Sequence, residues 1–306
     1  MSTSVAFKKP IKSVNMLAHV VLLIGGLILL YPIVFMILAG LMTKEEYATT
    51  VLGLLPIAEA PTLKNFIVLV LGSSDSKVQL YFFNSFLRTV YSVFWAVLTA
   101  LLGGYVFGRL RFRGKEKLFL FLLATQMIPG VVALIPTYIE MARWPFAGGN
   151  HIFNGGKGIL DSWWVYLIGG PAINIMGGFL VKQSLDSLPY ELDEAAKVDG
   201  TSTFRLIFQI ILPLQKPILA FIAISTAMGT WNDWTTPFFY TSSDNLQTLP
   251  AAIARMSALA LSPTTGIPDY PFMITLGLGV TIPLLIIFFI FQRYIVQGLA
   301  NTGLKG

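Results

Sequence analysis

Residues 188–217, LPYELDEAAKVDGTSTFRLIFQIILPLQKP, form a polar passage between strongly apolar neighbours, and their reading decides the architecture around them. Pro189 suits the first turn of a helix, where its missing N–H costs nothing. Glu191, Asp193 and Glu194 place negative charge against the positive end of the helix dipole. Leu192, Ala195 and Ala196 fall at i, i+3 and i+4, so the spacing predicts a narrow face of one leucine and two small residues. Gly200 can end this helix in the left-handed conformation, and Thr201 or Ser202 can cap a second helix running to about Leu212, before Pro213. The stretch therefore reads as a short helix, a sharp turn and a second helix that leads back into apolar sequence.

That apolar sequence dominates the chain. Of 306 residues 55% are hydrophobic and only 12% charged, against about a quarter charged in soluble domains. The fold class expected is an all-α polytopic membrane protein with about six transmembrane helices. With no cysteine there is no disulfide or thiolate metal site, and His19 and His151 are too few for a histidine metal site. The net charge of +6 speaks to orientation in a bilayer rather than to nucleic acid, which is not expected as a partner.

The expected spans are residues 17–42, 82–108, 118–141, 163–181, 217–240 and 271–293, within a membrane domain covering 17–293. In the second span, Gly104-x-x-x-Gly108 permits close approach of a neighbouring helix. The third is interrupted by Pro129-Gly130 and Pro136, breaks that either line a path or shape the packing. The fourth opens on Trp163 and Trp164 at the interfacial level. Residues 66–72 are apolar but too short to span, and 249–261 could lie as a helix on the outer face. Basic residues set the sides. Lys8, Lys9 and Lys12 precede the first span, Arg109, Arg111, Arg113, Lys115 and Lys117 follow the second, and residues 182–216 and 294–306 join them on the inner side. By the positive-inside rule both termini (tails 1–16 and 294–306) and the polar loop 182–216 are cytoplasmic.

Glu194-Ala195-Ala196, then Gly200, then Ile210 with Leu212-Pro213 resembles, at the same internal spacing, the signature loop of the membrane subunits of binding-protein-dependent ABC importers. Trp231-Asn232-Asp233 and the tail FQRYIVQGLANTGLKG are similar to the carbohydrate-uptake branch, particularly the six-span permease of the maltose type. The resemblance implies that the first helix of the loop is a coupling helix that docks on a cytoplasmic ATPase. Carried over by position, the coupling residues are Glu191, Glu194, Ala195, Ala196, Asp199 and Gly200, with Leu212 and Pro213 setting the return. The implied partners are a second permease subunit, an ATPase dimer, an extracytoplasmic solute-binding protein, a carbohydrate and the lipid bilayer. No cofactor is expected on this chain and no catalytic residue, because it has no Gly-x-x-x-x-Gly-Lys-Ser/Thr loop. ATP and Mg²⁺ belong to the ATPase. Residues 143–161 depart from the family pattern in being longer and more polar.

A sugar path needs hydroxyl-pairing groups and aromatic faces. Trp231, Asn232, Asp233 and Trp234 supply both, but they fall about 21 Å along the fifth span, a depth that favours interfacial anchoring over a substrate path. A secondary transporter would need intramembrane acids beyond Asp233 and two similar halves. A non-transporting scaffold gives no reason for an ordered inner loop. The substrate expected is a di- or oligosaccharide, with another small polar solute as the alternative.

Overall fold

The computed structural model describes residues 13–49, 54–73, 76–150, 155–168, 173–260 and 268–303. The N-terminal lysines, His151, residues 169–172 of the expected fourth span and the last three residues of the tail lie outside the described residues. Among the described residues there is no β-strand, and the chain is a helical membrane protein. Three helices are long and apolar enough to cross a bilayer: α1 (Ser13–Gly40), α4 (Val78–Arg109) and the last helix, described below. Between α1 and α4 lie two short helices, α2 (Lys44–Thr49) and α3 (Lys64–Leu71). The apolar segment that was too short to span is therefore helical.

The third expected span is not one straight helix. It consists of α5 (Lys115–Thr125) and α6 (Gly130–Ala142), bent by 95°. The break falls where Pro129, which cannot continue the preceding hydrogen-bond ladder, precedes α6. Pro136 sits inside α6 without breaking it. The fourth expected span is also divided, into α7 (Trp164–Leu167) and α8 (Ile175–Asp186). Asn174 caps α8 by accepting from the Gly177 N–H at 2.7 Å. Then come α9 (Glu191–Val198), α10 (Thr203–Leu214, π-helical over Leu206–Ile211) and, after an 82° bend, α11 (Lys216–Asn232). Two short helices follow, α12 (Thr235–Tyr240) and α13 (Leu249–Ala260). The last helix, α14 (Tyr270–Gly303), runs beyond residue 293, so the expected tail 294–306 is helical as far as Gly303.

Helix α4 is the axis of the bundle, packing against α8 and α11, while α14 packs against α11 and α1. Inside a bilayer water does not drive helices together, so close backbone approach carries the association. The glycine spacing on α4 serves that purpose. A Cβ on Gly104 would stand 2.4 Å from Val181 Cγ1 on α8, and one on Gly108 would touch Leu185 Cδ1 at 3.4 Å. From the other side, a Cβ on Gly177 would meet Ala100 of α4 at 2.8 Å. The buried core joins Ala100, Leu101 and Tyr105 of α4 to Val181 and Leu185 of α8. It continues through Leu206, Ile207 and Ile211 of α10 to Ile218, Leu219 and Ile222 of α11, and Ala196 of α9 rests on it. The polar passage is thus seated on the transmembrane core.

Candidate functional site

Helix α9 begins after Pro189, with the Asp193 and Glu194 N–H groups both donating to the Tyr190 carbonyl. It stops where the chain composition says it should. Gly200 takes φ +72°, and the Thr201 N–H returns to the Ala196 carbonyl at 2.9 Å, the closing bond of a Schellman turn. The Ser202 hydroxyl accepts from the Arg205 N–H and so caps α10. A helix, a tight turn and a second helix follow one another as the residue pattern predicts.

The faces of α9 differ from the expected ones. Glu191, Leu192, Glu194, Ala195 and Val198 are exposed, and Val198 retains 87% of its surface. Asp199 and Gly200 continue this open surface. Ala196 does not belong to it: three residues after Asp193, it turns inward with that residue and is only 6% exposed. The expected grouping of Leu192, Ala195 and Ala196 is therefore split, because the inward side of so short a helix is taken by Asp193 and Ala196. Leu212 packs against the core, and Pro213 is exposed just before the bend into α11.

What Asp193 meets inside was not visible in the spacing. Its Oδ2 lies 2.9 Å from Arg109 Nε at the end of α4, with both side chains at or below 5% exposure. The two meet charge to charge rather than along a hydrogen-bond line. The same guanidinium donates through Nη2 to the Leu188 carbonyl at 3.1 Å and lies 4.4 Å from the Tyr190 ring centre. The Tyr190 hydroxyl in turn donates to the Gly108 carbonyl at 3.1 Å. By sequence Arg109 belongs with its basic neighbours Arg111, Arg113, Lys115 and Lys117 as a topology signal. Its position directly after the glycine-spaced face of α4 was the available clue.

The candidate substrate residues separate into two pairs. Trp231 is 4% exposed, donates from Nε1 to the Val280 carbonyl at 2.9 Å and meets the Phe82 ring edge-on at 5.4 Å. It is a packing residue between α4, α11 and α14, a correction to its expected place on a path. Asp233 is committed as well. Its Oδ1 accepts from the Thr235 and Thr236 N–H groups and its Oδ2 from the Thr236 hydroxyl, so it caps α12. Its carboxylate pairs with Arg88 of α4, whose Nη1 also donates to the Asp233 carbonyl at 3.1 Å. Asn232 and Trp234 remain open, Trp234 at 45% exposure beside Phe238 and Phe239.

A polar stripe on α4 was the signal missed. Asn84, Ser85, Arg88, Thr89 and Ser92 are all buried at one-turn spacing in an otherwise apolar helix. Asn84 Nδ2 donates to the Asn245 and Gln247 carbonyls, each at 2.8 Å, and the Ser85 hydroxyl accepts from the Leu249 N–H at 2.9 Å. Nearby, Asp161 joins the loop before α7 to the loop after α12, accepting from the Ser242 and Ser243 N–H groups and the Ser243 hydroxyl. Partial burial alone would raise its carboxyl. The hydrogen bonds from Ser243 and Ser242 outweigh burial and bring it from 3.8 down to about 2. Among the described residues no cluster of three His, Cys, Asp or Glu could hold a metal ion.

Helix α9 is thus a short exposed helix seated on the transmembrane core, with a left-handed stop at Gly200. Residues 79–301 match the family described as the binding-protein-dependent transport system inner membrane component. The chain belongs to this family. As a transport component of that kind it is 27% identical over 294 residues to the galactooligosaccharides transport system permease protein GanQ of Bacillus subtilis, covering 94% of this chain and 95% of that one. It is 26% identical to the sn-glycerol-3-phosphate transport system permease protein UgpE of Pectobacterium atrosepticum, covering 95% and 98%. Its fold is similar to a chain in the crystal structure of a bacterial ABC transporter involved in the import of the acidic polysaccharide alginate. That likeness has a TM-score of 0.74 at 19% identity, over 94% of this chain and 99% of the other. The transport component is a permease and not an enzyme.

Proposed function

We propose that this chain is the permease subunit of an ATP-driven importer for a di- or oligosaccharide. In this reading α9 is the coupling helix, and its open face of Glu191, Glu194 and Ala195, continued by Asp199 and Gly200, docks on one subunit of a cytoplasmic ATPase dimer. A second permease subunit completes the pathway, and an extracytoplasmic binding protein delivers the solute. ATP and Mg²⁺ act on the ATPase. Both termini and the α9 end face the cytoplasm. Three helices are long enough to cross, five crossings result if the bent α5–α6 and α10–α11 pairs each count as one, and the segment that carries α7 and α8 makes the sixth.

The observation that carries the reading is the exposed face of α9 held on a rigid base. A short helix with fixed ends moves as a body when its partner moves, which is how a docked subunit transmits a displacement. Asn232 and Trp234 are the open polar and aromatic groups suited to a sugar's hydroxyls and C–H face. The galactooligosaccharide relative supports the sugar assignment, and the sn-glycerol-3-phosphate relative defines the competing solute class.

The test is purification with the ATPase and uptake into vesicles carrying the binding protein, comparing wild type with Glu194→Lys. Glu194→Lys is expected to insert normally but to lose ATPase association and uptake. Unchanged ATP-dependent uptake would refute α9 as the docking element. Calorimetry of the binding protein with oligosaccharides and with sn-glycerol-3-phosphate separates the substrate classes, and binding of the phosphate ester alone would replace the sugar assignment.

A further inference from the structure

Two buried arginines on α4, Arg109 at its last residue and Arg88 about three turns in from its start, make the same set of contacts. Arg109 meets the Asp193 carboxylate, the Leu188 carbonyl and the Tyr190 ring. Arg88 meets the Asp233 carboxylate, the Asp233 carbonyl and, at 5.1 Å from its centre, the Tyr166 ring. A carboxylate, a carbonyl and an aromatic face together use the charge, the planar fork and the flat surface of a guanidinium, a combination that lysine cannot reproduce. The arginines are 21 residues apart, about 32 Å along the axis, close to the thickness of a hydrocarbon core. At 100° per residue their side chains leave the helix within about 60° of each other. Helix α4 is unbroken between them and contains no proline.

We infer that α4 is a lever: Arg109 clasps it to α9 and Arg88 clasps it to the Asp233–Trp234 corner, so a displacement of α9 reaches that corner through α4. This rests on α9 being the ATPase-docking helix. The alternative covalent route from α9 runs through α10, the π-helical turn and an 82° bend into α11. A bent and locally unwound path absorbs displacement, whereas a continuous helix clamped at two points about 32 Å apart passes it on. Both partners are buried in the Arg109 clasp and the guanidinium is buried in the Arg88 clasp, so breaking either pair leaves an unpaired buried ion and neither opens readily while the helix moves. Arg109 and Arg88 are thus positioning residues. At the far corner Arg88 governs the placement of Asp233, which in turn caps the helix that follows Trp234 and carries Phe238 and Phe239 against its ring.

The chain has no cysteine, so spin labels at Phe83→Cys on α4 and Ile37→Cys on α1, both exposed, report α4 movement in the assembled transporter in lipid nanodiscs. A non-hydrolysable ATP analogue with Mg²⁺ is expected to change the label distance in the otherwise wild-type protein. Arg109→Ala is expected to abolish that change and cut uptake at least tenfold, with the ATPase still co-purifying in wild-type ratio through the intact α9 face. Arg88→Ala is expected to keep the distance change and lose uptake, a split that two merely stabilising arginines would not produce. Should Arg109→Ala fail to assemble, Asp193→Asn, which keeps the side-chain size, is read the same way. A nucleotide-dependent change that persists without Arg109, or disappears without Arg88, overturns the lever. A wild-type protein that binds no ATPase, or shows no change at all, instead overturns the docking assignment of α9.

Discussion

The contact between α4 and α8 yields a prediction whose size follows from geometry. A Cβ at position 104 would lie 2.4 Å from Val181 Cγ1 and 2.5 Å from Val181 Cβ, with the Gly178 carbonyl at 3.2 Å. Ordinary contact begins near 3.4 Å, so Gly104→Ala is about 1 Å too close. Val181 cannot turn aside, because a β-branched residue in a helix keeps one χ1 rotamer, and its Cβ clashes in any rotamer. The helices must separate, at a cost of about 1–3 kcal/mol. Gly103 supplies the control, since a Cβ there meets nothing within 4 Å. Both substitutions gain the same helix propensity, up to about 1 kcal/mol, so their difference isolates the clash. Thermal loss of monodispersity in detergent should rank Gly103→Ala at or above wild type and Gly104→Ala several degrees below. Val181→Ala should not rescue Gly104→Ala, because the Cβ remains. Val181→Gly should rescue it, with a coupling of about 1–3 kcal/mol in a double-mutant cycle. Gly104→Ala melting with Gly103→Ala would refute the close-packed crossing.

Gly200→Ala places a side chain at φ +72°, costing about 1–2 kcal/mol; ATPase co-purification should weaken, and Gly200→Asn should lose less. Asp161 contributes stability that is full above its ordinary 3.8 and is lost as pH falls towards its folded value of about 2. Proteolysis of the far-end loops should therefore rise between about pH 4 and 2 in wild type, and Asp161→Asn should flatten that dependence. Trp231→Phe removes the indole bond to the Val280 carbonyl and should cost about 0.5–1.5 kcal/mol in a melting assay without altering solute preference. Trp234→Ala should instead raise the half-saturating solute concentration for uptake and leave melting nearly unchanged.

The elements legible in advance are those set by neighbours in sequence. The α9 stop at Gly200, the Ser202 cap and the break at Pro129 each depend on backbone preferences within four or five residues. The spans blurred at their ends because hydrophobicity does not say where a helix bends. The fifth was expected to reach residue 240, yet α11 ends at Asn232, where Asp233 turns towards α4 to pair with Arg88 and cap α12. The inward turn of Ala196 was hidden for a related reason. An alanine suits a docking face and a packed core equally well, and only the position of Arg109 decides which face of α9 points inward.

The sequence by itself determined the class of the protein and the helical passage at residues 188–217, because composition and caps are local or summed properties. Only the tertiary structure decided which members of that passage are open and which are anchors. Asp193 and Arg109 are 84 positions apart, and Asp233 and Arg88 are 145. No local preference couples such residues; burial of opposite charges out of water does, once α4 brings them within reach.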